Sequence, residues 1–110
     1  MKEVRCYCIN SKDKPSEIPS KDWPIKDKEY KITHIYYHKM QGVKGVDLKE
    51  IKPPESAYPY ETYKLTRFAV LLDDLDLFFA LLKDCNDLND VELEEVKKQL
   101  EPDLQKIEIL

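Results

Sequence analysis

The sequence predicts an α+β protein, in which a small antiparallel sheet of four to five strands is followed by a helical hairpin at the carboxyl end. Three observations carry this. From Tyr30 the residues alternate, with Tyr30, Ile32, His34, Tyr36 and His38 assigned to one side and Lys31, Thr33, Ile35, Tyr37 and Lys39 to the other, the two-residue period of a strand. Both glycines of the chain, Gly42 and Gly45, lie between two alternating segments, as a hairpin loop that needs positive φ would place them. After Leu72 the period changes: Leu75, Phe78, Phe79 and Leu82 recur at i, i+3, i+4 and i+7, a helical stripe. The chain therefore divides into a sheet domain over residues 1–72 and a helical extension over residues 73–110.

Taken in order, Lys2 to Ile9 alternates Val4, Cys6 and Cys8 against Arg5, Tyr7 and Ile9, and its β-branched and aromatic content suits a first strand. Asn10 to Lys14 is a polar turn. Pro15, Pro19 and Pro24 each fix φ and remove a backbone donor, so the segment before Tyr30 wraps the sheet as turns or one 3₁₀ turn, with Trp23 as the plug at its end. After the hairpin, Val46, Leu48 and Ile51 form the second arm, which Lys52-Pro53-Pro54-Glu55 terminates because consecutive prolines remove ladder donors. Tyr58 and Tyr60 follow in a loop, and Tyr63 to Leu72 is the last strand. Asp73 or Asp74 is placed to cap the first helix. Asn89 and Glu92 form a capping-box pair for the second, with Leu88 and Leu93 as its hydrophobic staple and Leu93, Val96 and Leu100 as its apolar face. Pro102 is expected to stop that helix near Leu100, and Leu104, Ile107, Ile109 and Leu110 fit either a last turn or a returning strand.

A chain of 110 residues with 42% hydrophobic content is too apolar to be disordered and large enough to fold without metals or disulfides. With only 2 glycines it has no phosphate-cradling loop. The net charge of −4 conceals an asymmetry: residues 1–72 carry 14 positive and 10 negative charges, residues 73–110 carry 4 and 12. A mildly basic front and an acidic back permit docking of one on the other or two different partners. The three cysteines, Cys6, Cys8 and Cys85, cannot all pair, and Met1 to Ile9 has no apolar core of signal-peptide length, so a reduced, cytoplasmic protein is expected. The longest apolar run, Phe68 to Leu72, is too short to span a bilayer, and no membrane contact is expected.

Cys8-Ile9-Asn10, Pro15-Ser16-Glu17-Ile18-Pro19, Trp23, Glu29-Tyr30-Lys31-Ile32, a glycine-containing hairpin, Leu48-Lys49-Glu50-Ile51, Tyr60 and Arg67-Phe68 occur in that order. In this order the stretch from Val4 to Val70 resembles a group of small uncharacterised proteins encoded by gut Bacteroidetes and their phages. The resemblance implies a small, partly open, SH3-like β-barrel for residues 1–72 and no particular activity. One departure is that such proteins often carry a glycine in the turn before the Tyr-x-Ile strand, where this chain has Lys26-Asp27-Lys28.

Four constellations bear on chemistry. Cys6, Cys8, His34 and His38 are zinc-ligand types, each pair on one strand face, but C-x-C is not the spacing of known zinc modules, and core thiols with edge imidazoles explain them. Neither thiol has a glycine-rich turn or helix start beside it to favour the thiolate, so a Cys-His nucleophile is not expected. Asp84 to Glu95 follows the outline of a calcium loop, yet Leu88 occupies an oxygen-ligand position and Asn89 the position of the sharp turn, and ordinary capping accounts for both. Finally, Tyr30, Tyr36, Tyr37, Tyr58, Tyr60, Tyr63 and Trp23, bordered by Lys26, Lys28, Lys31, Lys39 and Lys44, resemble the stacking platform on which small barrels hold single-stranded nucleic acid; the same rings suit a peptide groove.

The expectation is a non-enzymatic interaction module without cofactor or metal, which binds a protein or peptide partner through Trp23, Tyr36, Tyr37, Tyr58 and Tyr60. A single-stranded nucleic-acid-binding barrel is the alternative. The broad apolar surface of the first helix, with Leu77, Phe78, Phe79 and Leu81, is expected either to close the barrel or to meet a second copy, giving a homodimer through the helices of residues 74–100.

Overall fold

Four antiparallel strands, β1 (Val4–Cys8), β2 (Glu29–His38), β3 (Gly42–Leu48) and β4 (Phe68–Val70), form one sheet in the order β3-β2-β1-β4. Two helices, α1 (Leu75–Asn86) and α2 (Asp90–Leu104), follow. The computed structural model describes residues 2–104, with side chains through Leu100. The sheet is a curled half-barrel whose concave face receives the helices, so the α+β, SH3-like arrangement expected from the sequence is the fold. No helix among the described residues is long and apolar enough to cross a membrane.

β1 follows its alternation, with Val4, Cys6 and Cys8 fully buried on the core face. β2 does not follow one phase throughout. Its pairing with β3 slips between Ile32↔Leu48 and His34↔Asp47, which leaves Thr33 as an extra, unpaired residue. Such a bulge turns every later side chain to the other face. Tyr30 and Ile32 are buried before it, Ile35 is buried and Tyr37 half-buried after it, while His34, Tyr36 and His38 sit on the outer face. The single-phase assignment, with Tyr30, Ile32, His34, Tyr36 and His38 together, is therefore corrected at Thr33.

The two glycines do different work. Gly42 has φ +78 and closes the hairpin after the turn in which the Gln41 amide donates to the His38 carbonyl (3.1 Å). Gly45 lies inside β3 with no positive φ, contrary to its expected place at the loop tip. It is needed because the chain at Thr62 crosses close above it: a Cβ on Gly45 would stand 2.1 Å from Thr62 Oγ1.

Tyr63 to Leu72 is not one strand either. Tyr63 bridges Val46 on the edge of β3, a 3₁₀ turn at Leu65–Arg67 intervenes, and Phe68–Val70 pairs with β1 at the opposite edge of the sheet. The turn re-aims the backbone so that Tyr63, Leu65, Phe68 and Val70 all point into the core. One segment thus touches both sheet edges, which curls the sheet.

The proline-rich approach contains the expected single 3₁₀ turn, at Ser20–Asp22. In the turn Ile25–Lys28, Asp27 adopts φ 70, and its amide donates to the Cys8 carbonyl (2.7 Å). Aspartate is among the few side chains that tolerate this region, so the turn is kept without glycine.

A 3₁₀ turn at Leu72–Asp74 leads into α1. Asp74 stands at the cap position but does not cap with its side chain; its carboxylate instead accepts from the Arg5 amide (3.1 Å), Nε (3.0 Å) and Nη2 (2.9 Å). Phe78, Leu81 and Leu82 are buried, and Leu77 and Phe79 pack against the same core, so α1 is covered chiefly from within the chain. At its end, Asn86 turns back to the sheet. β1 pairs only with the first part of β2, and beyond Ile32 the free edge of β2 is met by Asn86, whose Nδ2 donates to the Ile35 carbonyl (2.9 Å) while Oδ1 accepts from the Tyr37 amide (3.1 Å). The capping box of α2 is formed as read: the Glu92 amide donates to Asn89 Oδ1 (2.8 Å) and the Asn89 amide to Glu92 Oε1 (3.2 Å). Leu88, Val96 and Leu100 are buried. Pro102 does not end α2, which continues to Leu104. The proline lacks only the N–H that would bond back to the Lys98 carbonyl, and its fixed φ is a helical one, so the chain can run on to Leu104 at the cost of one bond. Ile107, Ile109 and Leu110 lie outside the described residues.

Candidate functional site

The five aromatic residues expected to form one binding surface occupy three places. Tyr36 and Tyr37, consecutive in β2, face opposite ways, and the phase change at Thr33 makes Tyr36 the outward one. Tyr37 packs toward the core and lines a cavity of about 410 Å³ beside Val43, Leu65, Val96 and Leu100, between the hairpin and α2.

Trp23 holds the proline-rich wrap in place. Its indole N–H donates to the Ser11 carbonyl (2.7 Å), its ring meets Tyr63 edge-on at 6.2 Å, and the Arg67 guanidinium lies 4.6 Å from its centre. Arg67 Nη1 also donates to the carbonyls of Asn10 (3.2 Å) and Lys12 (2.7 Å), and the Tyr63 hydroxyl to the carbonyl of Asp22 (2.5 Å). With every polar group of the indole satisfied within the chain, Trp23 acts as the structural plug.

Tyr36, Tyr58 and Tyr60 come together. The loop that leaves β3 after Leu48 is anchored by buried Pro53 and buried Ala57, the latter in a 3₁₀ turn at Glu55–Ala57. Proline cannot extend the ladder, so the loop folds back along the outer face of the sheet instead of continuing it. Tyr58, followed by a cis proline at Pro59, and Tyr60 project from this loop, and the Tyr60 amide is tied to the Ala57 carbonyl (2.9 Å). Together with Tyr36 and Asp47 they line a cleft of about 500 Å³, to which Thr33, Leu48 and Pro54 also contribute. Tyr58 is 75% exposed, Tyr60 41% and Tyr36 36%, far more than rings placed for packing need.

The electrostatics of this cleft are negative. Asp47, Glu55 and Glu61 line it against one cation, Lys52. The Tyr36 hydroxyl donates to Asp47 Oδ2 (2.7 Å); that bond, with burial second, pushes the phenol up to about 12, so it stays a donor and holds the carboxylate at the cleft mouth. The His34 ring packs against Tyr36 at a tilt of 46°, with ring centres 4.4 Å apart. Sequence reasoning missed Asp47, Glu55 and Glu61 as members of the site. Glu55 and Glu61 were legible as loop neighbours of the two tyrosines; Asp47 was not, because its place opposite His34 depends on the bulged register.

The other constellations are dispersed. Cys6 and Cys8 are buried on the core face, whereas His34 and His38 lie on the outer face, and no group of three or more His, Cys, Asp and Glu among the described residues is placed to hold a metal ion. Burial pushes both thiols up, away from the reactive thiolate. Along the calcium-like stretch Asp84 pairs with Lys2, Asn86 is bound to the sheet and Leu88 is core. Of the aromatic platform, Tyr30 and Tyr63 are buried, and none of Lys26, Lys28, Lys31, Lys39 or Lys44 lines the tyrosine cleft. Compared with protein-family models, curated proteins and solved structures, the chain matches none, so its site is read from its own geometry.

Proposed function

We propose that this protein is a non-enzymatic interaction module, which holds a peptide segment of a partner protein in the cleft of Tyr36, Tyr58 and Tyr60. The observation that carries the reading is the exposure of three tyrosine rings around one concavity whose walls are otherwise well anchored. Tyrosines offer large contact area with little rotamer entropy to lose, and proline-stiffened walls keep the concavity formed before the partner arrives. Trp23 and Tyr37, given the same role on sequence, are assigned to the fold instead.

The nucleic-acid alternative is disfavoured by charge. A groove for a phosphate backbone gathers cations along its track. This cleft gathers three carboxylates and one lysine.

A displayed peptide library selected on the wild-type protein, with Tyr58→Ser/Tyr60→Ser as counter-selection, tests the reading. Peptides are expected to be enriched on the wild type and to lose about tenfold or more in affinity on the variant, a loss of ~1.4 kcal/mol or more. Equal enrichment on both proteins, or retention of labelled oligothymidylate that weakens with salt, would refute it.

A further inference from the structure

The charge of the cleft says what the bound segment carries. Asp47, Glu55 and Glu61 are the acidic lining, and among the described residues the carboxylates of Glu55 and Glu61 take no hydrogen bond or ion pair, while the Asp47 carboxylate is engaged only through Oδ2 by the Tyr36 hydroxyl. Lys52, the one cation of the cleft, is not paired with any of them. Elsewhere on the described surface some carboxylates are paired, Asp74 with Arg5, Asp90 with Lys83, Glu3 with Lys49 and Asp84 with Lys2, and others, such as exposed Asp13 and Asp76, are not. What sets the cleft apart is that three carboxylates share one concavity with exposed tyrosine faces, themselves negative at their centres.

Resting on the reading of this cleft as a peptide site, we infer that its ligand is a cationic segment of a partner protein, whose arginine or lysine side chain enters among Tyr36, Tyr58 and Tyr60 and meets Asp47, Glu55 and Glu61. The ring faces take the flat guanidinium or the alkyl stem, and the free Oδ1 of Asp47 is positioned by the Tyr36 bond to accept from its N–H groups. An acidic segment is repelled by the same lining. A neutral one leaves the carboxylates without partners after their water is displaced, which costs affinity.

The experiment uses the full chain and three synthetic peptide pools of equal length, identical except that their fixed positions carry arginine, glutamine or glutamate. Fluorescence anisotropy at low and at physiological salt reads affinity. The arginine pool is expected to bind about tenfold tighter than the glutamine pool, the combined effect of one cation–π contact and partly exposed ion pairs. The margin should shrink as salt is raised. The variant Asp47→Asn/Glu55→Gln/Glu61→Gln, its fold checked by urea unfolding, should bring the arginine-to-glutamine ratio close to one. A glutamine or glutamate pool that binds as well as the arginine pool overturns the cationic assignment and leaves the peptide site standing. An undiminished arginine preference in the triple variant also overturns it, because the cation would then be read elsewhere. Failure of all three pools to bind removes the peptide site and this inference together. Sedimentation that finds a self-associated form, dispersed by Tyr58→Ser, makes a second copy of the chain the occupant and overturns the inference.

Discussion

Gly45→Ala tests how the half-barrel is closed. An ideal Cβ on this residue stands 2.1 Å from Thr62 Oγ1, 2.9 Å from Thr62 Cβ and 3.1 Å from the Tyr63 carbonyl oxygen. Rotation of the Thr62 side chain moves Oγ1 away but leaves its Cβ where it is, and carbon atoms settle at about 3.5–4.0 Å. The backbone at Thr62 must then retreat by roughly 0.5–1 Å to reach that separation. The retreat acts on the two bonds that join the segment to β3, Val46 N–H to the Tyr63 carbonyl (2.8 Å) and Tyr63 N–H to the Val46 carbonyl (3.1 Å). Overpacking costs about 1–3 kcal/mol and each weakened backbone bond about 1 kcal/mol, against a gain of ~0.5–1 kcal/mol from replacing glycine within a strand, so the variant should lose about 2–4 kcal/mol. Urea unfolding should show a lower midpoint at unchanged slope, and the thermal midpoint should fall by about 10 °C or more. Thr62→Gly in the same chain removes both clashing atoms, and the double-mutant cycle should recover about 1 kcal/mol or more of coupling. A Gly45→Ala protein within about 0.5 kcal/mol of wild type, or a strictly additive cycle, would refute the account of Gly45 as a crossing point.

Asn86→Ala should destabilise by about 2–3 kcal/mol, because the Ile35 carbonyl and Tyr37 amide lose their partner at a half-buried site; Asn86→Asp, which has no donor for Ile35, should not rescue it, and rescue in urea unfolding would refute the role. Asp27→Gly should stabilise by about 0.5 kcal/mol and Asp27→Ala destabilise by about 1 kcal/mol, since φ 70 suits glycine, then aspartate, then alanine. Matching thermal midpoints for both variants would show that the turn is relaxed in solution. The Arg5 guanidinium and amide hold the Asp74 carboxyl below its ordinary range, so the unfolded chain takes up that proton first as acid is added. The stabilisation from this group is whole above the ordinary carboxylate range and is lost as pH falls through the lowered value; Asp74→Asn should flatten the acid limb of urea midpoint against pH, and an unchanged limb would contradict the assignment.

Much of the architecture was written in residue periodicity. The alternation of Val4, Cys6 and Cys8, the stripe of Phe78 and Leu82, and the reciprocal bonds of Asn89 and Glu92 are local patterns, set by neighbours within one turn or one strand, and the structure contains each of them. So is the split between sheet and helices near Leu72.

What only the tertiary structure decided is where local patterns are interrupted. A bulge at Thr33 changes no residue type and costs one ladder position, yet it sends Tyr36 to the surface and Tyr37 to the core, the reverse of the faces that the alternation from Tyr30 assigns. Gly45 looked like a loop glycine until the chain at Thr62 was laid across it. The negative cleft arises in the same way: Asp47 belongs to a strand and Glu55, Tyr58, Tyr60 and Glu61 to a loop, and nothing short of that loop's return across the outer face brings them to one place. Sequence spacing sets which side chains share a face within an element; which faces meet is set by backbone packing between elements distant along the chain.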